Sequence, residues 1–247
     1  GGVIGRFVDS TTALGEPARV RYVGTVVDDR GAVNLDRAAL PAASRVEGDR
    51  PVVLALGTCM NVGKTTTIAK LIETATRAGH RVGAAKLAGV AALRDLGEFT
   101  AAGAVDVKSF LDCGLPSTVD AESLAPVFRA VVNALGGDLV LVELGDGIVG
   151  SYRVETVLED AEIMRHVTAV VLCAGDVMAA YGAKLHLDAL GVPIAAFSGL
   201  ATENVAGSAP IESWLGVPAI NGIKEPERLF AALGIAEREV VGHGDLA

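Results

Sequence analysis

The chain has 247 residues, 51% of them hydrophobic, 21% charged and 4% aromatic, a balance that supports a buried core and excludes a disordered polypeptide. Its net charge of −9, with Lys and Arg scattered and never in a run, excludes a basic track for nucleic acid. No apolar run reaches the roughly 18 residues of a membrane span, so neither nucleic acid nor a membrane is an expected partner.

Residues 1–48 read as a small β-rich appendage. Gly1-Gly2-Val3 has no basic stretch, so no secretory leader is expected. Arg19 to Val27 is rich in β-branched residues, Asp28 to Gly31 makes a turn, and Ala32 to Leu35 returns as a strand. Pro41 to Asp49 mixes Pro, Ala, Ser, Gly and charge, as a linker does. From 49 to 247 the rhythm becomes strand, glycine turn and helix. Strands are expected at 52–56, 81–87, 139–142, 169–172 and 194–197; the run at 52–56 is of the apolar kind buried on both faces of a parallel sheet, and 139–142 and 169–172 are short buried strands. Helices are expected at 64–77, 91–102, 121–135, 154–165, 177–190 and 225–233. This alternation predicts an α/β fold with a doubly wound, mostly parallel sheet.

The strongest motif follows the first of these strands and opens the first helix. It comprises Gly57, Thr58, Cys59, Met60, Asn61, Val62, Gly63, Lys64, Thr65 and Thr66. A glycine-rich strand-to-helix turn points successive N–H groups inward at phosphate oxygens. In such a Walker A loop, Lys64 reaches the β- and γ-phosphates and the Thr65 hydroxyl ligates Mg²⁺. Two further positions fit the same site. Lys86 ends the second strand, where open α/β sheets bind ligands. Glu143 ends the strand that follows Asp138, the layout of a Walker B acid that holds Mg²⁺. Asp95 and Asp106 compete as a second metal-binding acid between them. Arg94 stands beside Asp95 as an anion-binding group or a surface ion-pair partner. Asp146 reads either as part of a loop over substrate or as a turn former.

Five residues, not four, separate Gly57 from Gly63, and Thr58 stands where the common pattern has glycine. This longer loop resembles those of dethiobiotin synthetase and cobyrinic acid a,c-diamide synthase. Ala85-Lys-Leu-Ala-Gly89 resembles their Y-K-P-V-x-x-G pattern, with leucine for the proline. Leu141-Val-Glu-Leu-Gly-Asp-Gly147 resembles their E-G-x-G-G. The loop also resembles a P-loop family of unknown function with G-T-D-x-x-V-G-K and E-G-Q-G-S motifs, as does the stretch from Ala104 to Thr118. The synthetase resemblance implies an enzyme that uses ATP and Mg²⁺ to activate a small carboxylate or carbamate and then forms a C–N bond. Lys64 and Lys86 would then flank the transferred phosphoryl group, and residues 87–118 would hold a small anionic substrate. A homodimer is also implied, because sites between subunits are common among the synthetases. A small-molecule kinase and an ATP-responsive binding or chaperone module remain the alternatives.

ATP is expected over GTP because Phe197 to Asn204 lacks the Asn/Thr-Lys-x-Asp motif that reads guanine. Asn204 and the Gly216–Asn221 loop are the candidates for touching adenine. Three dispersed cysteines (Cys59, Cys113 and Cys173) indicate a reducing, cytoplasmic setting, and four dispersed histidines give no zinc pattern.

Overall fold

The computed structural model describes residues 4, 5, 7, 16–90, 93–119 and 121–236. The opening Gly1–Val3, the first two residues of the helix expected at 91–102, and the last eleven residues of the chain lie outside these. In the amino-terminal part, β1 (Val27–Asp28) and β2 (Gly31–Ala32) form a short antiparallel hairpin around the turn at 28–31. The strands expected over 19–27 and 32–35 shrink to two residues each. Arg19 to Val26 is exposed along its whole length and has no sheet to bury an apolar face against, which strand propensity alone does not replace. A 3₁₀ turn at Leu35–Ala38 then approaches the body: the Leu40 N–H donates to the Asp112 carbonyl, and Val46 is buried in the core.

The body alternates as expected. β3 (Val52–Gly57) leads through the glycine loop into α1 (Lys64–Arg77), β4 (Val82–Lys86), α2 (Leu93–Ala101), β5 (Asp106–Ser109), α3 (Ala125–Ala134) and β6 (Leu139–Glu143). There follow α4 (Glu155–Leu158), α5 (Ala161–Met164), β7 (Val167–Cys173), α6 (Val177–Ala189), β8 (Ala196–Ser198), α7 (Val205–Leu215) and α8 (Pro226–Ala232). The six body strands make one parallel sheet in the order β5-β4-β6-β3-β7-β8. Every residue of β3 and β6 is buried, because helices cover both faces of the sheet. On one face Phe128, Leu124 and Val131 pack on Leu54, Leu56 and Val140; on the other, Ile68, Leu71 and Ile72 pack on Val53, Ala55 and Leu141.

Three elements depart from the sequence expectation. The helix expected over 154–165 breaks in two, because Asp160 takes an extended conformation and its carboxylate caps α5 through the Glu162 and Ile163 N–H groups. β5 is an additional edge strand; its Asp-Val-Lys-Ser sequence carries little apolar signal, since only Ser109 is buried. α7 contains Pro210 and buries only Ile211, so it shows neither helix propensity nor a helical apolar stripe.

Candidate phosphate-binding site

The register of the parallel strands assembles the site. Lys86 is level with Glu143 across β4 and β6, and Glu143 is level with Ala55, two residues before the loop begins. At this carboxyl end of the sheet the loop 57–63 turns into α1. Asn61 and Gly63 take left-handed conformations with φ of 59° and 98°. At Gly57 a Cβ would lie 2.7 Å from the Lys64 side chain, so glycine is required for the lysine to fold back over the loop.

The loop is pinned to the core from three sides. The Thr58 N–H donates to the Cys173 carbonyl (3.0 Å), and the Thr58 hydroxyl accepts from the Gly175 N–H (3.2 Å). Val62 is buried and its carbonyl accepts from the Leu200 N–H (3.3 Å). Gly147, from the segment after β6, lies where a Cβ would stand 2.9 Å from the Thr58 carbonyl oxygen. The Ile148 N–H of the same segment donates to Gly57 O (2.9 Å).

A cavity of about 300 Å³ opens beside this loop, lined by Met60, Asn61, Gly63, Lys64, Thr65, Thr66, Lys86, Arg94, Asp95, Glu98, Glu143 and Asp146. Lys64 is buried, and its ammonium donates to the carbonyls of Cys59 (2.8 Å) and Asp146 (2.6 Å). Burial lowers its pKa, an effect that the Glu143 charge partly opposes. The Thr65 hydroxyl donates to Glu143 Oε2 (2.9 Å), while Lys86 Nζ lies 3.2 Å from Glu143 Oε1 and also pairs with Asp95. Burial depresses the Lys86 pKa, yet Glu143 and Asp95 together overcome it and hold the group above an ordinary lysine. Arg94 bridges Asp95 (3.6 Å) and Glu98 (3.7 Å) at the solvent side. Tyr152 packs against the core beside Asp146, its phenol held above its usual pKa by burial and by the Asp146 carboxylate.

The sequence candidates therefore separate. Lys64, Thr65, Lys86, Glu143 and Asp95 converge on one cavity. Asp106 does not: it begins β5 at the opposite end of the sheet, where its Oδ2 accepts the Gly136 N–H (2.8 Å) and its Oδ1 pairs with Lys108 (3.2 Å). Its carboxylate caps a loop and leaves no place for it in the metal set. Within the loop, Gly57, Thr58, Cys59 and Val62 shape the backbone, whereas Met60, Asn61, Gly63, Thr65 and Thr66 face the cavity with Lys64. Asn204 and Asn221 are also committed elsewhere. The Asn204 side chain caps α7 through the Gly207 N–H, and Asn221 Oδ1 accepts from the Ile223 and Lys224 N–H groups. Glu98 lines the cavity and was not legible as a site residue. Glu98 had one signal, its i,i+4 spacing from Arg94 on α2.

The donors fit a hard divalent cation. A carboxylate and a hydroxyl stand side by side in contact, and among the described residues no cluster of three or more His, Cys, Asp or Glu could cage a metal alone. Mg²⁺ binds in that way, through one or two protein oxygens and substrate phosphates, with water completing the shell. Among the described residues no helix is long and apolar enough to cross a membrane.

No protein family matches the sequence. No curated protein matches it. Solved structures of related shape include chloroplast FtsY from Physcomitrella patens, 19% identical, with a TM-score of 0.45 over 81% of this chain and 70% of that one. The 54 kDa signal recognition particle protein of Aeropyrum pernix in complex with GDP is 18% identical, TM-score 0.47, over 75% of this chain and 46% of that one. A DUF1611 family protein from Anabaena variabilis is 15% identical, TM-score 0.45, over 80% of this chain and 62% of that one. The chain thus spans less than two thirds of the length of the latter two. The narrower likeness to the synthetases rests on sequence motifs alone. The parallel sheet, its flanking helices and the glycine loop at the carboxyl end of β3 give the chain the fold of P-loop nucleoside triphosphatases.

Proposed function

We propose that the chain binds ATP with Mg²⁺ and uses it to activate a small carboxylate or carbamate for C–N bond formation. The observation that carries the nucleotide part is the convergence of the glycine loop, the buried Lys64, the half-buried Lys86, Thr65 and Glu143 on one cavity at the carboxyl end of the sheet. The choice of a carboxylate or carbamate acceptor is supported by the sequence resemblance at the loop, Lys86 and Glu143. ATP over GTP is supported by the missing guanine-reading motif after β8.

In this reading the loop N–H groups and Lys64 hold the phosphates, Lys64 exchanging its two carbonyl acceptors for phosphate oxygens. Thr65 and Glu143 would hold Mg²⁺, which supplies charge neutralisation on those oxygens. An acceptor oxygen attacks the γ-phosphorus, the bond to the ADP oxygen breaks, and an acyl phosphate forms. An amine nitrogen then attacks the acyl carbon, its proton leaves, and inorganic phosphate departs. Lys86, already inside the cavity, stabilises the transferring group; positioning and charge supply the rate without a protein nucleophile.

Titration calorimetry with non-hydrolysable ATP and GTP analogues plus Mg²⁺ tests the first part. Wild type is expected to prefer ATP, and Lys64→Ala to lose at least ~100-fold in affinity, about 2.7 kcal/mol. Unchanged binding by Lys64→Ala defeats the site, and tighter GTP binding defeats the nucleotide assignment. Mass analysis of products from a carboxylate and amine panel tests the second part, and a stable phosphorylated product would replace ligation with simple phosphorylation.

A further inference from the structure

The outer surface of α6 is as apolar as its inner one. Toward the sheet the helix buries Ala180, Ala183 and Leu187; toward solvent it exposes Met178, Tyr181 and Leu185, at 72%, 44% and 56%. A helix that faces only water carries polar residues there, so a helix apolar on both sides is built to be covered. The neighbouring α7 extends the face. α6 and α7 pack side by side on one side of the sheet. Glu212 of α7 accepts the Ala219 N–H (3.1 Å) outside edge strand β8, where Ala219 pairs with Phe197. Trp214 stands two residues further on, about 200° round the helix, and so turns toward α6, 70% exposed.

The outward positions of α6 repeat in a pattern that fits its own image. Met178, Gly182, Leu185 and Ala189 are spaced by four, three and four residues, the spacing of a seam between paired helices, and all four are exposed. Large and small residues alternate along it. Laid antiparallel on a second copy, about a two-fold axis between Ala183 and Lys184, Met178 meets the partner's Ala189 and Leu185 meets the partner's Gly182. Every large side chain of the seam then faces a small one. The charges of the stretch do not collide: Lys184 pairs with Asp188 on its own helix, and across the axis the two face the partner's Ala183 and Ala179.

Gly182 is the second observation. Glycine inside a helix is unfavourable relative to alanine, and the fold does not call for it here. Among the described residues no atom lies within 4 Å of where its Cβ would stand. The close approach of a second helix, whose Leu185 needs that room, accounts for it. We propose that α6 is the centre of an isologous interface between two copies of this chain, α6 antiparallel to α6, with Trp214 on the flank. At their exposures Met178, Tyr181, Leu185 and Trp214 offer on the order of 500 Å² of largely apolar surface. Two such faces with their rims reach the roughly 1,200 Å² at which specific interfaces begin.

Sedimentation velocity on the full chain tests this, with mass as a readout that does not depend on nucleotide. Wild type is expected to be dimeric at ~100 μM, a concentration that fills a micromolar dimer. Gly182→Leu places its Cβ in open space in the single chain but strikes the partner's Leu185, so it is expected to be monomeric and native by circular dichroism. Met178→Glu puts a charge at the end of the seam and is expected to be monomeric too. The double variant Gly182→Leu/Leu185→Ala exchanges large for small at both positions and should regain the dimer. A monomeric wild type, a dimer indifferent to Gly182→Leu and Met178→Glu, or a double variant that stays monomeric would each overturn the proposal.

Discussion

Lys86→Met isolates the most charged part of the interior. In the wild type Lys86 neutralises two carboxylates that solvent barely reaches: the side chains of Glu143 and Asp95 are 1% and 6% exposed, and that of Lys86 is 14%. Methionine keeps the length and the packing but removes the cation. Glu143 then retains only the Thr65 hydroxyl among its named partners, and Asp95 only the exposed Arg94 at 3.6 Å. Removing one partner of a buried ion pair costs about 3–5 kcal/mol, because the remaining charge stays desolvated. For a chain of this size each kcal/mol moves the midpoint by roughly 2–4 °C, so thermal melts should fall by about 6–20 °C. Adding Asp95→Asn removes one stranded charge and should restore part of the loss.

The pH dependence of the same variant has a fixed sign. The folded pKa of Lys86 is raised, so its stabilisation is complete below the unfolded lysine value near 10.4 and fades as pH climbs through the folded one. The gap between wild type and Lys86→Met, followed by urea melts, should therefore be constant from pH 7 to 9 and close above about 10.4. A drop below ~2 °C at pH 7 with a native spectrum, or a gap that widens at high pH, would refute the reasoning.

Two further perturbations separate structural from site residues. Asp106→Ala removes the acceptor of the Gly136 N–H and should cost about 1–2 kcal/mol in chemical denaturation. It should leave nucleotide affinity unchanged, and a tenfold loss would return Asp106 to the site. Maleimide labelling at pH 8, read by mass spectrometry, should modify exposed Cys59 first. Burial pushes the thiols of Cys113 and Cys173 up to about 11, which leaves roughly one molecule in a thousand as reactive thiolate at that pH. Nucleotide bound over the loop should protect Cys59, and equal labelling of all three would contradict the assignment.

The parts of the fold legible in the sequence are those where local pattern and tertiary context agree. β3, β6 and β7 are continuous apolar runs, and α1 opens at Lys64 and ends at Arg77, as its periodicity and Gly79 predict. β5 and α7 were missed where context overrides pattern. β5 is a mostly half-buried edge strand, and α7 packs mainly through Ile211 against the core while carrying Pro210. The segment 19–27 shows the reverse error. Its residues favour a strand, but a strand forms only against a neighbour, and Arg19 to Val26 lies exposed along its whole length.

The site was legible in its loop and illegible in its register. Lys64 and Thr65 are fixed by contiguous sequence, so their places follow from the loop alone. Lys86 and Glu143 were placed at strand ends, but only the β4–β6 register sets them level and brings Nζ within 3.2 Å of Oε1. The choice between Asp95 and Asp106 turned on the same quantity. Ser109, not Asp106, is level with Lys86, and three residues of β-rise put the Asp106 backbone about 10 Å below the site. Asp95 lies on the helix that returns over the carboxyl ends of the strands, so its carboxylate faces the lysine. Two acids eleven residues apart thus have opposite fates because β5 begins at 106. Had pairing begun three residues earlier in sequence, Asp106 would have stood level with Lys86 at the loop mouth, and no local property of either aspartate distinguishes these outcomes.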